Sequence, residues 1–219
     1  FAANLVVCEA LAGPDVAIFS DALNHASIIE GTRLARRRGA TVIVYPHGDV
    51  EALARALDAH PAHTKLIITD GVFSMDGDLA PLGALAELKT QHKALLVVDE
   101  AHATGVLGPR GAGVAEALGV SASVDLHIGT LSKSLGAQGG FIAGSEALIR
   151  LLENRGRAQI YSTALRMPTI AAARAALSVL REEPALRARL NAHIERVNAA
   201  LGADQSTPIF AHILETPEA

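Results

Sequence analysis

A lysine in a loop of small residues is the first candidate for chemistry in this chain. Lys133 lies in the run Gly129-Thr130-Leu131-Ser132-Lys133-Ser134-Leu135-Gly136, directly after the apolar run Leu126 to Ile128. Such a lysine is either a phosphate ligand or an amine nucleophile. A P-loop is excluded, because it requires glycines where Ser132 and His127 stand. The sequence leaves a lysine that can form a Schiff base, with an ordinary solvated loop lysine as the alternative.

Two more candidates follow a second apolar run. In open α/β sheets, ligands bind at the carboxyl ends of the strands. Asp99 follows the run Ala94 to Val98, and a carboxylate there is costly to bury without a cation or hydrogen bonds. A protonated ring nitrogen is one possible partner; capping of the following turn is the alternative. His102 points to the same place if that turn is helical, and is otherwise a structural histidine.

Two other strand ends carry polar groups. His25 comes soon after the run Val16 to Phe19 and precedes a helix start, so it is either functional or a helix-flanking histidine. The run Asp76-Gly77-Asp78 follows Lys65 to Thr69 and resembles a turn, because the remaining ligands of a calcium loop are missing. The chain has no HExxH, CxxC, GxSxG or GxGxxG pattern. No metal site is predicted, and hydrolase and nicotinamide-binding functions lack their signatures.

One lysine, one strand-end aspartate and two histidines are typical of a site for pyridoxal 5'-phosphate. That cofactor needs a lysine to hold it and a carboxylate to keep its pyridine nitrogen protonated. Its phosphate needs hydroxyl groups and helix-start amides. Thr130 and Ser132, with the amides around Phe1 and Ala2, are the candidates for this role.

The elements that must position these residues alternate between short apolar runs and helix-length amphipathic segments. This pattern predicts an α/β fold with a mostly parallel central sheet flanked by helices. The predicted strands are Val16 to Phe19, Thr41 to Tyr45, Lys65 to Thr69, Ala94 to Val98, Leu126 to Ile128 and Gly140 to Ala143. The predicted helices between them are Asn4 to Ala12, Ser27 to Arg38, Val50 to Ala59, Leu82 to Gln91 and Ser145 to Asn154.

The last quarter of the chain has a different pattern of residues. An alanine-rich segment, Pro168 to Leu180, is followed by apolar residues at helical spacing from Leu186 to Leu201, which predicts two consecutive helices. Ser206 to Leu214 is predicted to be a strand. We therefore expect residues 1–180 to form a large cofactor-binding domain. Residues 181–219 are expected to hold a linking helix and the beginning of a smaller C-terminal α+β domain.

Composition and charge exclude several classes of function. The 219 residues carry a net charge of −4 and a pI of about 6.1, so no nucleic-acid partner is predicted. The apolar runs are too short to span a bilayer. One cysteine, Cys8, fits a reducing compartment such as the cytoplasm, and an organelle such as the peroxisome is compatible. Because Phe1 reads as part of a helix start, we expect a piece of a longer protein.

At four motifs the chain resembles the α-oxoamine synthases, which are fold-type I pyridoxal-phosphate enzymes that condense an amino acid with an acyl thioester. The resemblance covers nearly the whole chain. The motifs, in chain order, are Asp21-Ala22-Leu23-Asn24-His25-Ala26-Ser27-Ile28-Ile29, Asp70-Gly71-Val72-Phe73-Ser74-Met75-Asp76-Gly77-Asp78, Asp99-Glu100-Ala101-His102-Ala103-Thr104-Gly105 and Gly129-Thr130-Leu131-Ser132-Lys133.

The resemblance implies a role for each matching residue. Lys133 would hold the cofactor as a Schiff base and act as a base, and Asp99 would pair with the pyridine nitrogen. His25 would stack on the ring and assist acid-base steps. His102 and Ser74 would bond the region of its phenolic oxygen.

The resemblance also implies a phosphate site and a partner. Thr130 and the amides of Phe1 and Ala2 would bind the phosphate of the same subunit. Ser162 and Thr163 match a segment that reaches the phosphate of the neighbouring subunit. A homodimer with shared active sites is therefore expected.

Within the family, softer similarities favour one reaction. Gly139-Gly140-Phe141-Ile142-Ala143, Gly156-Arg157 and Ser162-Thr163-Ala164 resemble the plant and algal members that join L-alanine to a pimeloyl thioester in biotin biosynthesis. A member that joins glycine to an acetyl thioester is the alternative. A non-catalytic cofactor-domain fragment, whose carboxylate-binding arginine would lie beyond Ala219, is a further hypothesis. A nucleotide-binding α/β domain is the weakest one.

Overall fold

The computed structural model describes residues 1–212, which form six strands and nine α-helices. The strands are β1 Val16–Asp21, β2 Thr41–Tyr45, β3 Thr64–Asp70, β4 Leu95–Asp99, β5 Leu126–Thr130 and β6 Gly140–Gly144. The helices are α1 Ala2–Leu11, α2 Ala26–Arg37, α3 Val50–Ala59, α4 Leu82–His92, α5 Val114–Ala117, α6 Glu146–Arg155, α7 Arg157–Ile160, α8 Met167–Glu182 and α9 Ala185–Leu201. The six strands predicted between Val16 and Ala143 and all seven predicted helices are present.

One sheet contains all six strands, in the order β2-β1-β3-β4-β5-β6. The pairs among β1 to β5 are parallel, and β6 runs antiparallel to β5. The predicted mostly parallel α/β sheet is thereby confirmed. The register pairs Asp70 with Asp99 and Asp99 with Ile128. The ends of three adjacent strands therefore deliver their polar residues to one edge of the sheet.

Both faces of the sheet are covered by apolar side chains, as continuous apolar strands require. On one face, Ile67 of β3 packs in a cluster with residues of α3 and α4, including Leu53 and Leu85. On the other face, Ile68 packs with residues of α1, α2 and α6, including Ile28. Burying each such side chain contributes about 1.5–3 kcal/mol. The sheet is therefore a rigid support for the residues at its edge.

Local signals explain where several helices begin. Asp49 caps α3, and its carboxylate accepts a hydrogen bond from the Ala52 amide at 2.8 Å. Ser145 caps α6 in the same way. His25 caps α2, with its imidazole accepting from the Ser27 amide. Helix α2 consequently starts at a residue that the sequence marks as a functional candidate.

The predicted strand Ser206 to Leu214 is wrong for the part that the structure describes. Residues 206–212 belong to no strand, and residues 213 and 214 lie outside the described residues. This segment is held by its side chains instead: Thr207 is fully buried, and its hydroxyl donates to the Gly77 carbonyl at 2.8 Å. The predicted domain boundary at residue 180 falls near the end of α8 and stays a prediction.

Candidate active site

Asp99 is the most deeply placed of the candidate residues. It ends β4, is 5% exposed, and its carboxylate accepts from the Asn4 side-chain amide at 2.6 Å and from the Ala101 amide at 2.9 Å. Within residues 1–212, no cationic side chain forms an ion pair with it. Two neutral donors leave the buried negative charge without a cation in direct contact. A protonated heterocyclic nitrogen fits this position, in agreement with the donor set of a pyridoxal-phosphate site.

Lys133 and His102 lie in contact, with the lysine Nζ hydrogen-bonded to the imidazole Nε2. Partial burial lowers the pKa of the Lys133 ammonium, and the carboxylates of Asp99 and Asp70 oppose this effect. Burial also lowers the pKa of His102, and the positive charges of Lys133 and His25 lower it further. A neutral imidazole beside a lysine with a lowered pKa favours a deprotonated, nucleophilic amine.

The loop that carries Lys133 is braced by its own polar groups. The Thr130 hydroxyl donates to the Gly139 carbonyl at 3.1 Å and accepts from the Ser132 amide at 3.2 Å. Gly129 has no room for a side chain, because a Cβ there would overlap the ring of Phe141. The hydroxyls of Thr130 and Ser132 therefore stand in a constrained turn, and their role at a phosphate stays a prediction.

His25 lies beside the same strand ends. Its backbone amide donates to the Asp70 carboxylate at 2.6 Å, while the residue itself is exposed. Because Asp70 is paired in register with Asp99, this hydrogen bond places His25 at the same strand ends. The structure thus brings together all four residues on which the sequence prediction chiefly rested. The stacking role of His25 stays a prediction.

The start of α1 provides free backbone donors near β5 and β6. Phe1 is the N-cap of α1 and forms no side-chain cap, so the first amides of the helix lack a side-chain acceptor. Ala3 approaches Gly140, since a Cβ on that glycine would lie 3.8 Å from the Ala3 Cβ. Such an arrangement suits an anion, and the predicted use of the Phe1 and Ala2 amides is compatible with it.

Three predicted residues form no hydrogen bond with this cluster of side chains. Ser74 is half-buried in the loop between β3 and α4. Ser162 and Thr163 are exposed beyond α7, and their hydroxyls donate to the Gln159 and Ser162 carbonyls. Thr163 adopts a left-handed φ of 61°, which is uncommon for a β-branched residue. Their contacts with a cofactor or a partner subunit stay predictions.

Asp70 is a site residue that the sequence prediction missed. It is 3% exposed, and burial, reinforced by the charge of Asp99, raises its pKa to about 7, although the His25 amide and Lys133 act in the opposite direction. Its position could have indicated this role, because Asp70 is the last residue of β3 just as Asp99 is the last residue of β4. Asn4 is a second such residue, and it carried no sequence signal beyond its place in a helix.

A second polar link holds the loop that carries Ser74. His47 Nδ1 lies 2.9 Å from the Asp21 carboxylate, and its Nε2 lies 2.8 Å from the Asp78 carboxylate. Its ring packs edge-on against Phe73 at 4.4 Å between centroids. Burial lowers the pKa of His47, but the hydrogen bonds and charges of the two carboxylates outweigh it and raise the pKa. The imidazole therefore ties β1 to this loop.

Comparison with known proteins identifies the family. A family model described as aminotransferase class I and II matches residues 1–213. The chain belongs to that family. Among curated members, it is 52% identical over 220 residues to 8-amino-7-oxononanoate synthase of Anaeromyxobacter sp. (strain K), covering 98% of this chain and 54% of that relative. It is 48% identical to the Burkholderia thailandensis enzyme of the same name, covering 99% and 55%. The chain thus spans about half the length of these curated relatives.

Solved members of the family have the same fold. Serine palmitoyltransferase from S. paucimobilis with a bound PLP–myriocin aldimine superposes with a TM-score of 0.93 at 32% identity, over 99% of this chain and 58% of that one. 8-Amino-7-oxononanoate synthase from Francisella tularensis gives 0.76 at 30% identity, over 96% and 61%. The resemblance to α-oxoamine synthases and the fold-type I architecture are confirmed. The two curated relatives named above are bacterial, so they do not bear on the plant and algal expectation.

Residues 1–212 contain no cluster of three or more side chains that could hold a metal ion. No helix in that part of the chain is long and apolar enough to cross a membrane.

Proposed function

We propose that this chain carries the cofactor site of a pyridoxal-phosphate-dependent 8-amino-7-oxononanoate synthase, which joins L-alanine to a pimeloyl thioester in biotin biosynthesis. The observation that carries the proposal is the buried Asp99 carboxylate, which has only neutral donors and lies beside a lysine of lowered pKa. The names of the most similar relatives support the choice of substrates.

Different residues would hold different parts of the cofactor. Lys133 would hold it covalently through Nζ, and Asp99 would pair with its ring nitrogen. Thr130 and the amides at the start of α1 would hold its phosphate, and His25 would cover the ring. When bound, the cofactor withdraws electrons from the α-carbon of an attached amino acid.

Lys133 would move the proton that starts the reaction. The amino group of alanine would first take the place of Nζ on the cofactor, and the released Lys133 amine, whose pKa is lowered by burial, would then accept the α-proton of alanine. The α-carbon then bonds to the thioester carbonyl carbon, the carbon–sulfur bond breaks, and the thiol leaves. Loss of the alanine carboxylate as carbon dioxide, with return of a proton to the α-carbon, gives the amino ketone. His102, in contact with Nζ, would keep the amine oriented.

A homodimer with shared sites is part of the proposal. Large apolar side chains are exposed near the predicted partner-facing segment, including Tyr161 at 71% and Met167 at 76%. Phe1, beside the proposed phosphate site, is 68% exposed. Exposed apolar groups of this size support an interface. The buried, unpaired Cys8 supports a reducing compartment, for which we propose the cytoplasm.

The proposal is tested by steady-state kinetics of the full-length protein. Alanine, glycine and serine should each be assayed against pimeloyl and acetyl thioesters, and kcat/KM should be highest for alanine with the pimeloyl thioester. A preference for glycine with the acetyl thioester would instead establish the alternative reaction. No turnover with any pair, while the cofactor still binds, would support the non-catalytic hypothesis.

The variant Asp99→Ala tests the proposed role of the buried Asp99 carboxylate. It should retain cofactor but lose about 10²–10³-fold in kcat, because the charge that stabilises the protonated ring is gone. Asp76→Asn, at an exposed position, is the matched control and should be unaffected. Near-normal turnover of Asp99→Ala would contradict the assignment.

A further inference from the structure

A series of hydrogen bonds joins the buried Asp99 to the exposed His25 through two buried side chains on different helices. Asn4 of α1 is 1% exposed, and its Nδ2 lies 2.6 Å from Asp99 Oδ2 and 2.9 Å from Ser27 Oγ. Ser27 of α2 is also 1% exposed, and its Oγ lies 2.7 Å from His25 Nδ1. The link therefore connects the strand-end carboxylate to the imidazole directly through protein side chains.

The Asp99 carboxylate determines the direction of each hydrogen bond in this series. A carboxylate only accepts, so Asn4 must turn its NH₂ group towards Asp99 and can give its second hydrogen to Ser27 Oγ. The orientation leaves Asn4 Oδ1 buried with no hydrogen-bond partner among the described residues. An unsatisfied oxygen is costly, but the reverse orientation would place that oxygen against the Asp99 carboxylate.

The orientation of the Asn4 side-chain amide determines which nitrogen of the neutral His25 imidazole is protonated. Because Ser27 Oγ accepts from Asn4, its own hydrogen is free to point at His25 Nδ1. The Ser27 backbone amide also donates to Nδ1, at 3.2 Å. A ring nitrogen that receives two donors carries no proton of its own, so the proton of the neutral ring lies on Nε2.

We propose that Asn4 and Ser27 are positioning residues that hold His25 as the Nε2–H tautomer, with the charge of Asp99 as the anchor of the link. His25 then presents a hydrogen-bond donor at Nε2 and acts as a donor, rather than as a base, towards a bound ligand. The consequence for turnover rests on the proposed function. The tautomer itself does not, because it is set by residues of this chain.

The test measures the tautomer directly, in the cofactor-free full-length protein labelled with ¹⁵N-histidine. The ¹⁵N shifts distinguish a protonated from an unprotonated ring nitrogen, and His25→Gln identifies the signals of His25. The parent protein should show Nε2–H. Ser27→Ala should lower the ratio of the Nε2–H to the Nδ1–H form about fivefold, the usual net effect of one hydrogen bond. Ser27→Thr, which keeps the hydroxyl, should restore the ratio.

Two controls separate this role from a structural one. Ser145→Ala removes a hydroxyl at the start of α6 and should leave the His25 signals unchanged. Asn4→Leu, close to asparagine in size but without a donor, should shift the ratio in the same direction as Ser27→Ala. In the holoenzyme, Ser27→Ala should lower kcat about fivefold with little change in KM.

The outcomes are distinct from those that test the proposed function. A parent protein with Nδ1–H as the main form, or a ratio that neither Ser27→Ala nor Asn4→Leu changes, would overturn the inference. The predicted tautomer together with absent cofactor binding would overturn the proposed function and leave the inference standing.

Discussion

The buried carboxyl group of Asp70 should make the protein less stable as the pH rises. Its pKa is raised from 3.8 to about 7 by burial and by the charge of Asp99. Between those values the folded protein binds more protons than the unfolded chain, so the free energy of unfolding falls as the pH rises through this window. Across the whole window the loss is about 4 kcal/mol at most, because one pH unit corresponds to about 1.4 kcal/mol.

Asp70→Asn removes this charge and keeps an oxygen that can accept the His25 amide, now 2.6 Å from the carboxylate. Above about pH 8, the variant should be roughly 2–4 kcal/mol more stable than the parent. Near pH 4 the two proteins should be equally stable, since Asp70 is protonated there. The measurement is urea unfolding of the cofactor-free full-length protein, followed by circular dichroism at a series of pH values.

The matched control is Asp76→Asn, which removes an exposed carboxylate from the same loop and should produce no pH-dependent gain. An unchanged slope of unfolding free energy against urea concentration would show that the denatured state is not responsible. If Asp70→Asn instead lowers stability at alkaline pH and has little effect near pH 4, the carboxylate is favourably paired in the folded protein. Burial would then not be the dominant influence on its pKa.

Three further substitutions have defined outcomes. His47→Gln should lower the free energy of unfolding by about 1–2 kcal/mol. Because the pKa of His47 is raised, its bridge to Asp21 and Asp78 is fully formed below about pH 6.5 and weakens as the pH rises through the folded-state pKa. Thermal melts should therefore show a smaller loss of stability at alkaline pH. Glu100→Ala should cost about 2–4 kcal/mol in urea unfolding, because this buried carboxylate accepts from two amides of α5 at 2.8 and 2.9 Å; an unchanged midpoint would exclude that role. Gly129→Ala should lower the melting temperature, since a Cβ meets the Phe141 ring, and Phe141→Leu in the same chain should partly restore it; no rescue would place the strain elsewhere.

The sheet and the residues at its edge were predictable because both follow from local sequence. Apolar runs define the strands, and the register of a parallel sheet brings Asp99 and the Lys133 loop to one edge. The elements with strong local signals, such as the Asp49 cap of α3, lie within a residue or two of prediction. This agreement reflects the consistency of local propensity with the fold.

The parts that were missed depend on contacts between distant segments. Asn4 reads as an ordinary helix residue, and only the packing of α1 against the sheet brings it to Asp99. Ser206 to Leu214 has the composition of a strand, but its described part is held by Thr207 against a loop instead. Periodicity shows which face of an element is buried. It does not show which polar group will meet a partner on that face.

The most direct test of the proposed site is chemical labelling of Lys133. The full-length protein should be incubated with pyridoxal phosphate, reduced with borohydride, digested and mapped by mass spectrometry. The label should lie on Lys133, should disappear in Lys133→Ala, and should persist in Lys93→Asn, which changes an exposed lysine at the end of α4. A label on another residue, or no label on a folded protein, would contradict the account.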